Sequence, residues 1–448
     1  AATGVDTDGT YLINLKTITA GNYHTCALSN SGKTYCWGYA AYGQLGDNQG
    51  ASRLMPVLTL YGASAESSVT TLDGAGSFGG AASWNFYNLK FGDGVGATTS
   101  TATGAGDIII ENVLTTSTNQ TLSASSKTYT LLGSATPFVN GGVFAPATST
   151  VNYIGSSATT VTAATYNNLG IGTTSDAGGG VTYTLAAGTT AILGNLILGN
   201  AASTNSDTLT AITNNSILDV DNDITLTAKG ALTADDTQAF TVGGAWTLNT
   251  GGAFTHSGGT VTFNAEGVAT SKTIGGTAQT TFSTLTINAG TDIMTLGVNT
   301  PVTTALNITN GTLDQGASFN LTSNTITVGA GGIWTNTGTG DITLSGNVSN
   351  SGTITLDSSG LGCGGADSIA ITGGGVARNW SGTGTFNLID LTVSDTGTTV
   401  QNTVSSTAGI NTNWTISAGC AISISGTVYS DEGTTTLTGT QTLMIKVN

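Results

Sequence analysis

Between Ile217 and Phe263 apolar and polar residues alternate in runs of three or four. The runs are Ile217-Leu218-Asp219-Val220, Ile224-Thr225-Leu226-Thr227, Phe240-Thr241-Val242, Trp246-Thr247-Leu248 and Val261-Thr262-Phe263. A period of two puts apolar side chains on one face of a strand and Thr or Asp on the other. Gly243-Gly244, Gly251-Gly252 and Gly258-Gly259 separate the later runs, and glycine supplies the backbone angles that corners need. No segment sustains the 3.6-residue period of an amphipathic helix, which excludes an ordinary α/β fold. The pattern predicts an all-β chain with a body, residues 62–448, built as a right-handed parallel β-helix or solenoid. In such a body short strands stack coil on coil, and each coil buries its inward residues on the next. Tandem β-sandwich domains of about 100 residues are the alternative.

A faint internal repeat runs through this body. An aromatic residue is followed by Leu and then a β-branched or aromatic residue, as in Phe86-Tyr87-Asn88-Leu89-Lys90-Phe91, Tyr166-Asn167-Asn168-Leu169-Gly170-Ile171 and Phe282-Ser283-Thr284-Leu285-Thr286-Ile287. A looser copy runs from Phe386 to Val393. The spacing of the markers near 86, 166, 282 and 386 fits either a solenoid or one sandwich domain per marker. The pattern resembles the long Thr/Gly-rich repeats of large bacterial surface and secreted proteins, including the filamentous-haemagglutinin type. That resemblance implies an adhesin, a stalk or a cell-surface filament.

Residues 1–61 read differently. They hold His24, two of the four cysteines and the aromatic group Tyr23, Tyr35, Trp37, Tyr39 and Tyr42. Cys26 and Cys36 flank Asn30-Ser31-Gly32, a turn signal between two short strands, so a cross-strand disulfide is expected there. Cys363 and Cys420 are then left as a second pair, with four free buried thiols as the alternative. The run Ala20-Gly21-Asn22-Tyr23-His24-Thr25-Cys26-Ala27-Leu28, then Gly32, Tyr35-Cys36-Trp37-Gly38 and Tyr42-Gly43-Gln44-Leu45-Gly46-Asp47 resembles one repeat of the regulator of chromosome condensation family, over about residues 18–57. Seven such repeats close a β-propeller in that family. One alone cannot cover its own faces or edges, so neither a propeller nor the family's nucleotide-exchange activity is expected. His24 is read as a structural residue of the repeat.

Charge narrows the functional classes. Charged residues are 8% of the chain, with 9 Lys+Arg, 25 Asp+Glu and 2 His among 448 residues, against about 25% in ordinary globular domains. The formal net charge of −16 argues against nucleic acid and against a basic membrane-binding face. No stretch of about 20 apolar residues reads as a transmembrane helix. An even cysteine count in this composition fits an oxidising, extracellular or cell-surface location. The start at Ala1 raises the expectation of a leader already removed.

Candidate chemistry is sparse. Asp6-x-Asp8-Gly9 and Asp219-x-Asp221-x-Asp223 are tight carboxylate groups, and hard oxygen ligands at alternating spacing suit Ca²⁺. Asp235-Asp236 and Asp431-Glu432 are adjacent, so on a strand they face opposite ways. That is a poor arrangement for the paired carboxylates of glycoside hydrolysis, and no enzyme activity is expected. Tyr23, Trp37, Tyr39 and Tyr42 are candidate surface aromatics. The apolar runs with Tyr11, Ile13 and Leu15 at one end, and Leu443, Ile445 and Val447 at the other, are candidate subunit-contact strands, because an open apolar strand invites β-augmentation. The leading expectation is an extracellular structural protein that assembles with itself into a filament or sheath. Two alternatives stand beside it: a monomeric adhesin stalk binding glycan or a cell surface, and a polysaccharide-degrading β-helix or phage tail spike.

Overall fold

Short alternating runs closed by glycine corners cannot pair with their immediate neighbours in a hairpin, because each corner turns the chain onto a new face. They pair instead with the equivalent run one turn later, in parallel. The computed structural model describes residues 12, 15–29, 34–40, 45, 51–58, 69–173, 180–267, 269–358, 369–373, 379–389, 391–393 and 404–405. It is all-β, a parallel β-solenoid of about 13 turns with an antiparallel sheet at its N-terminal side. The parallel pairing excludes the tandem-sandwich alternative. The chain divides into two compact units, residues 1–262 with 266–268 and 275–278, and residues 263–265, 269–274 and 279–448.

In the first unit, β1 (Leu15–Ala20), β2 (His24–Ser29), β3 (Thr34–Gly38) and β4 (Arg53–Leu58) form an antiparallel sheet in that order. Cys26 lies directly opposite Cys36, and the two are joined in a disulfide. The sheet's small core is Cys36, Ala40 and Leu45, with Cys26 and Val57 packed against it. The boundary expected near residue 61 falls among residues 59–68, outside the described residues.

The solenoid turns of this unit show why the alternation matters. The strands Thr128–Leu131, Thr150–Tyr153, Asn168–Ile171, Leu196–Leu198, Ile224–Leu226 and Trp246–Leu248 stack in register. One inward row is Tyr129, Val151, Leu169, Leu196, Ile224 and Trp246, all buried. A second sheet stacks Thr159–Val161, Thr182–Leu185, Asp207–Thr210, Gly230–Thr233 and Ala253–Thr255. The runs picked out between 217 and 263 behave as their pattern predicts. Leu218, Val220, Phe240, Val242, Leu248 and Val261 point inward and are buried, as is Phe263, which belongs to the second unit. Each buried side chain of this size contributes about 1.5–3 kcal/mol, and the sum over neighbouring turns is what replaces a single globular core.

In the second unit three long strands, Phe282–Leu296, Thr300–Asp314 and Leu321–Asn336, lie in parallel. Their register shifts at several points, among them Asn288 to Ile293 and Ile308 to Asn310. Gly290 (φ +63°) lies within the first of these and Gly311 (φ +89°) directly after the second, where a residue with a Cβ would be strained. Leu285, Leu306 and Ile326 form one inward row and Met294, Leu313 and Trp334 another. Trp334 and Trp380 stack within this core, with ring centroids 6.2 Å apart.

The marker repeat has a simple origin. Leu89, Leu169, Leu285 and Leu391 are all buried inward residues, but the marker intervals span several turns. The structural period is one turn, for example 21 residues from Leu285 to Leu306 and 28 from Leu196 to Ile224.

Candidate functional site

Among the described residues, three local arrangements bear on candidate function. The first is the aromatic corner of the N-terminal sheet. Gly38 closes β3 at φ +110°, and a Cβ there would meet the Tyr23 carbonyl oxygen at 2.4 Å and His24 Cα at 2.7 Å. Glycine is therefore required, and it lets the Tyr39 amide donate to the Tyr23 carbonyl at 2.7 Å. The rings of Tyr23 and Tyr39 then meet edge to face, with centroids 6.2 Å apart, while Tyr23 remains 76% exposed. Trp37 is half-buried in β3. Tyr42 lies outside the described residues. His24 stands over Gly21, where a Cβ would come within 2.8 Å of its ring.

The second arrangement is a set of polar ladders at solenoid corners. The Asn168 side-chain oxygen accepts from the Asn195 amide at 3.0 Å. Asn195 in turn accepts from the Asp223 amide at 3.2 Å, and Asp223 from the Ala245 amide at 2.8 Å. The second unit repeats the device. Asn299 accepts from the Asn320 amide at 2.9 Å, Asn320 from the Asp341 amide at 2.8 Å, and Asp341 from the Ala370 amide at 3.0 Å. A corner breaks the strand ladder and leaves an amide without a backbone acceptor. One side chain per turn satisfies it.

The third is a carboxylate cluster. Asp219, Asp221 and Glu266 each offer an oxygen, and these oxygens lie within 4.8 Å of one another. Asp219 is on an outward strand position and accepts from the Thr241 hydroxyl. Asp221 and Glu266 meet because Gly243 lies between them in the stack. A Cβ at Gly243 would fall 2.2 Å from the Asp221 carbonyl oxygen and 2.8 Å from the Glu266 carbonyl carbon. Partial burial raises the pKa of Asp221, and the charges of Glu266 and then Asp219 add to the rise. An all-oxygen, trianionic set of this kind suits a hard divalent cation such as Ca²⁺.

The sequence grouped Asp219, Asp221 and Asp223 as calcium ligands. The structure brings together the first two and spends Asp223 on the corner ladder. Glu266 takes the third place. Its place follows from the lengths of two successive turns, and no local motif marks it. Among the other residues singled out, Asp235 is buried and bound within its own turn. Its carboxylate accepts from the Thr237 amide at 2.7 Å, the Thr237 hydroxyl at 2.9 Å and the Gln238 amide at 2.7 Å. Burial raises its pKa, but those hydrogen bonds outweigh it and the net shift is downward. Asp236 beside it is exposed. Leu15 opens the exposed edge strand β1. Asp6, Asp8, Tyr11, Ile13, Cys363, Cys420, Asp431, Glu432, Leu443, Ile445 and Val447 lie outside the described residues. No helix among the described residues is long and apolar enough to cross a membrane.

Comparison with known proteins adds one finding. The family model of the regulator of chromosome condensation (RCC1) repeat matches residues 15–44, a stretch that includes β1, β2 and β3. No curated protein and no solved structure matches the chain.

Proposed function

We propose that this chain is an extracellular structural protein that assembles with copies of itself into a filament or sheath, with the N-terminal sheet as a subunit contact. The observation that carries the reading is the state of that sheet. It holds one repeat of a type that closes by lateral packing of blades, and its outer strands β1 and β4 are open edges among the described residues. Every residue of β1 is exposed, including Ile18 at 57%, and Leu54 and Met55 of β4 are exposed as well. Open edges with apolar side chains are sites of strand addition or face packing. The Cys26–Cys36 disulfide supports an oxidising location. The low charge supports a role in which polar ladders, and not ion pairs, face solvent and neighbours. Ca²⁺ at Asp219, Asp221 and Glu266 belongs to the same reading as a clamp on adjacent turns.

Negative-stain electron microscopy of the purified chain, with and without EDTA, tests the proposal. Regular filaments or tubes are expected, and Ile18→Lys or Leu54→Lys should disperse them. Isolated particles of the unaltered protein at high concentration would remove the assembly reading.

A further inference from the structure

Beside Gly170 the first unit carries a groove on the outward side of its strands. In the parallel ladder Gly170 lies between Asn152 on the preceding turn and Ile197 on the following one. Two strand spacings, about 10 Å, separate those flanking positions. Gly170 has no side chain, and the Asn152 side chain leans into the space above it, leaving Gly170 buried. A Cβ there would fall 2.1 Å from Asn152 Oδ1 and 2.9 Å from the Thr173 methyl group. The groove is about 210 Å³, walled by Asn152, Asn168, Thr173, Asn195 and Ile197 with Leu169 beneath.

The chemistry of this groove is specific in what it offers. None of its lining side chains carries a charge. The Asn152 amide has no hydrogen-bond partner among the described residues, so it presents two donors and an acceptor. Asn195 uses its oxygen on Asn222 Nδ2 at 2.9 Å and on the Asp223 amide at 3.2 Å, which leaves its own NH₂ group free among the described residues. Asn168 is fixed by the Asn195 amide, so the corner ladder holds this wall in place. Ile197 is exposed and adds an apolar patch. Free amides beside a small apolar surface match a ring that is polar at its rim and apolar on its C–H face. The volume is below the roughly 300–1,000 Å³ of drug-sized pockets, which fits one ring and not a larger ligand.

We propose that this groove is a subsite for one neutral sugar residue of a polysaccharide. The proposal is independent of self-assembly, since it uses neither the N-terminal sheet nor the carboxylate cluster. The probe is saturation-transfer NMR of the full chain with maltotriose, cellotriose, triacetylchitotriose and the anionic trigalacturonate. Transfer to at least one neutral trisaccharide is expected, with little to trigalacturonate. Gly170→Ala displaces the Asn152 amide from its place in the groove and Asn152→Ala removes that amide, and each should weaken binding at least tenfold. The Asn152 variant removes no side-chain hydrogen bond among the described residues, so its far-UV circular dichroism should match the parent and its melting temperature should stay close to it. No transfer to any neutral probe, stronger transfer to trigalacturonate, or equal binding by parent and Asn152→Ala would overturn the assignment.

Discussion

Asp223 accepts a hydrogen bond from the Ala245 amide, 22 residues and one turn further along the solenoid, at 2.8 Å. Asn195 does the same for the Asp223 amide. The role therefore belongs to the corner position, and Asp and Asn are interchangeable in it as acceptors. Asp223→Asn should leave the melting temperature within about a degree. Asp223→Ala strands a corner amide and should cost about 1–2 kcal/mol. Thermal unfolding followed by circular dichroism separates the two. Equal losses in both variants would show that the carboxylate charge, and not its acceptor oxygen, matters there.

The Asp221–Glu266 approach has the opposite sign. Asp221 is held protonated more readily in the folded chain, through partial burial and the charges of Glu266 and Asp219. A folded pKa above the unfolded one means that the native state binds the extra proton, so stability falls as pH rises through the folded value. Below the unfolded value, about 3.9, both states are protonated and the penalty is absent. Asp221→Asn should therefore raise the melting temperature at pH 7 and leave it unchanged near pH 3. Ca²⁺ in the millimolar range used by extracellular modules should stabilise the parent and not the variant. If calcium shifts both equally, the cluster is not where it binds.

Lys272 and Asp292 form an inward-facing ion pair at 2.8 Å, with the lysine side chain fully buried, and Lys272 also donates to the Asn264 carbonyl at 3.2 Å. Removing one member leaves an uncompensated charge in the core. Lys272→Met alone should cost about 3–5 kcal/mol, whereas Lys272→Met with Asp292→Leu should recover most of that. Chemical denaturation of the single and double variants gives the comparison. A double variant as unstable as the single one would mean that the pair, and not the buried charge, matters.

These cases show what the chain discloses and what it hides. Alternation with glycine corners was enough to turn Leu218, Val220, Phe240 and Val242 inward, because a period of two leaves one face for the core. The cross-strand Cys26–Cys36 pair was equally legible, since a short hairpin fixes its partners. Glu266 was not legible, because its contact depends on two turn lengths and on Gly243 having no side chain. Asp223 misled for the same reason: a D-x-D-x-D spacing describes the chain locally, while a corner's unmet amide is a property of the next turn. Lys272 was not singled out in the sequence, and only the stacked register, which pairs it with buried Met294, places it in the core.

The N-terminal sheet should prove the least stable part of the described fold unless its disulfide is intact. Its core is small, consisting of Cys36, Ala40 and Leu45 with Cys26 and Val57, and a domain of this size ordinarily needs a covalent or metal staple. The Cys26–Cys36 bond closes a loop with a sequence separation of 10, for which loss of unfolded-chain entropy contributes about 2–3 kcal/mol. The solenoid strands from Ile108 to Leu248 are held by rows of buried side chains on successive turns and by no disulfide among the described residues. Reduction should therefore raise amide exchange in residues 15–58 by about a hundredfold and leave exchange in strands such as Thr150–Tyr153 and Ile224–Leu226 unchanged. Hydrogen exchange with mass spectrometry on oxidised and reduced protein reads both regions in one experiment. Faster exchange throughout on reduction would show that the sheet and the solenoid unfold as one cooperative unit, and that the staple guards the whole of it.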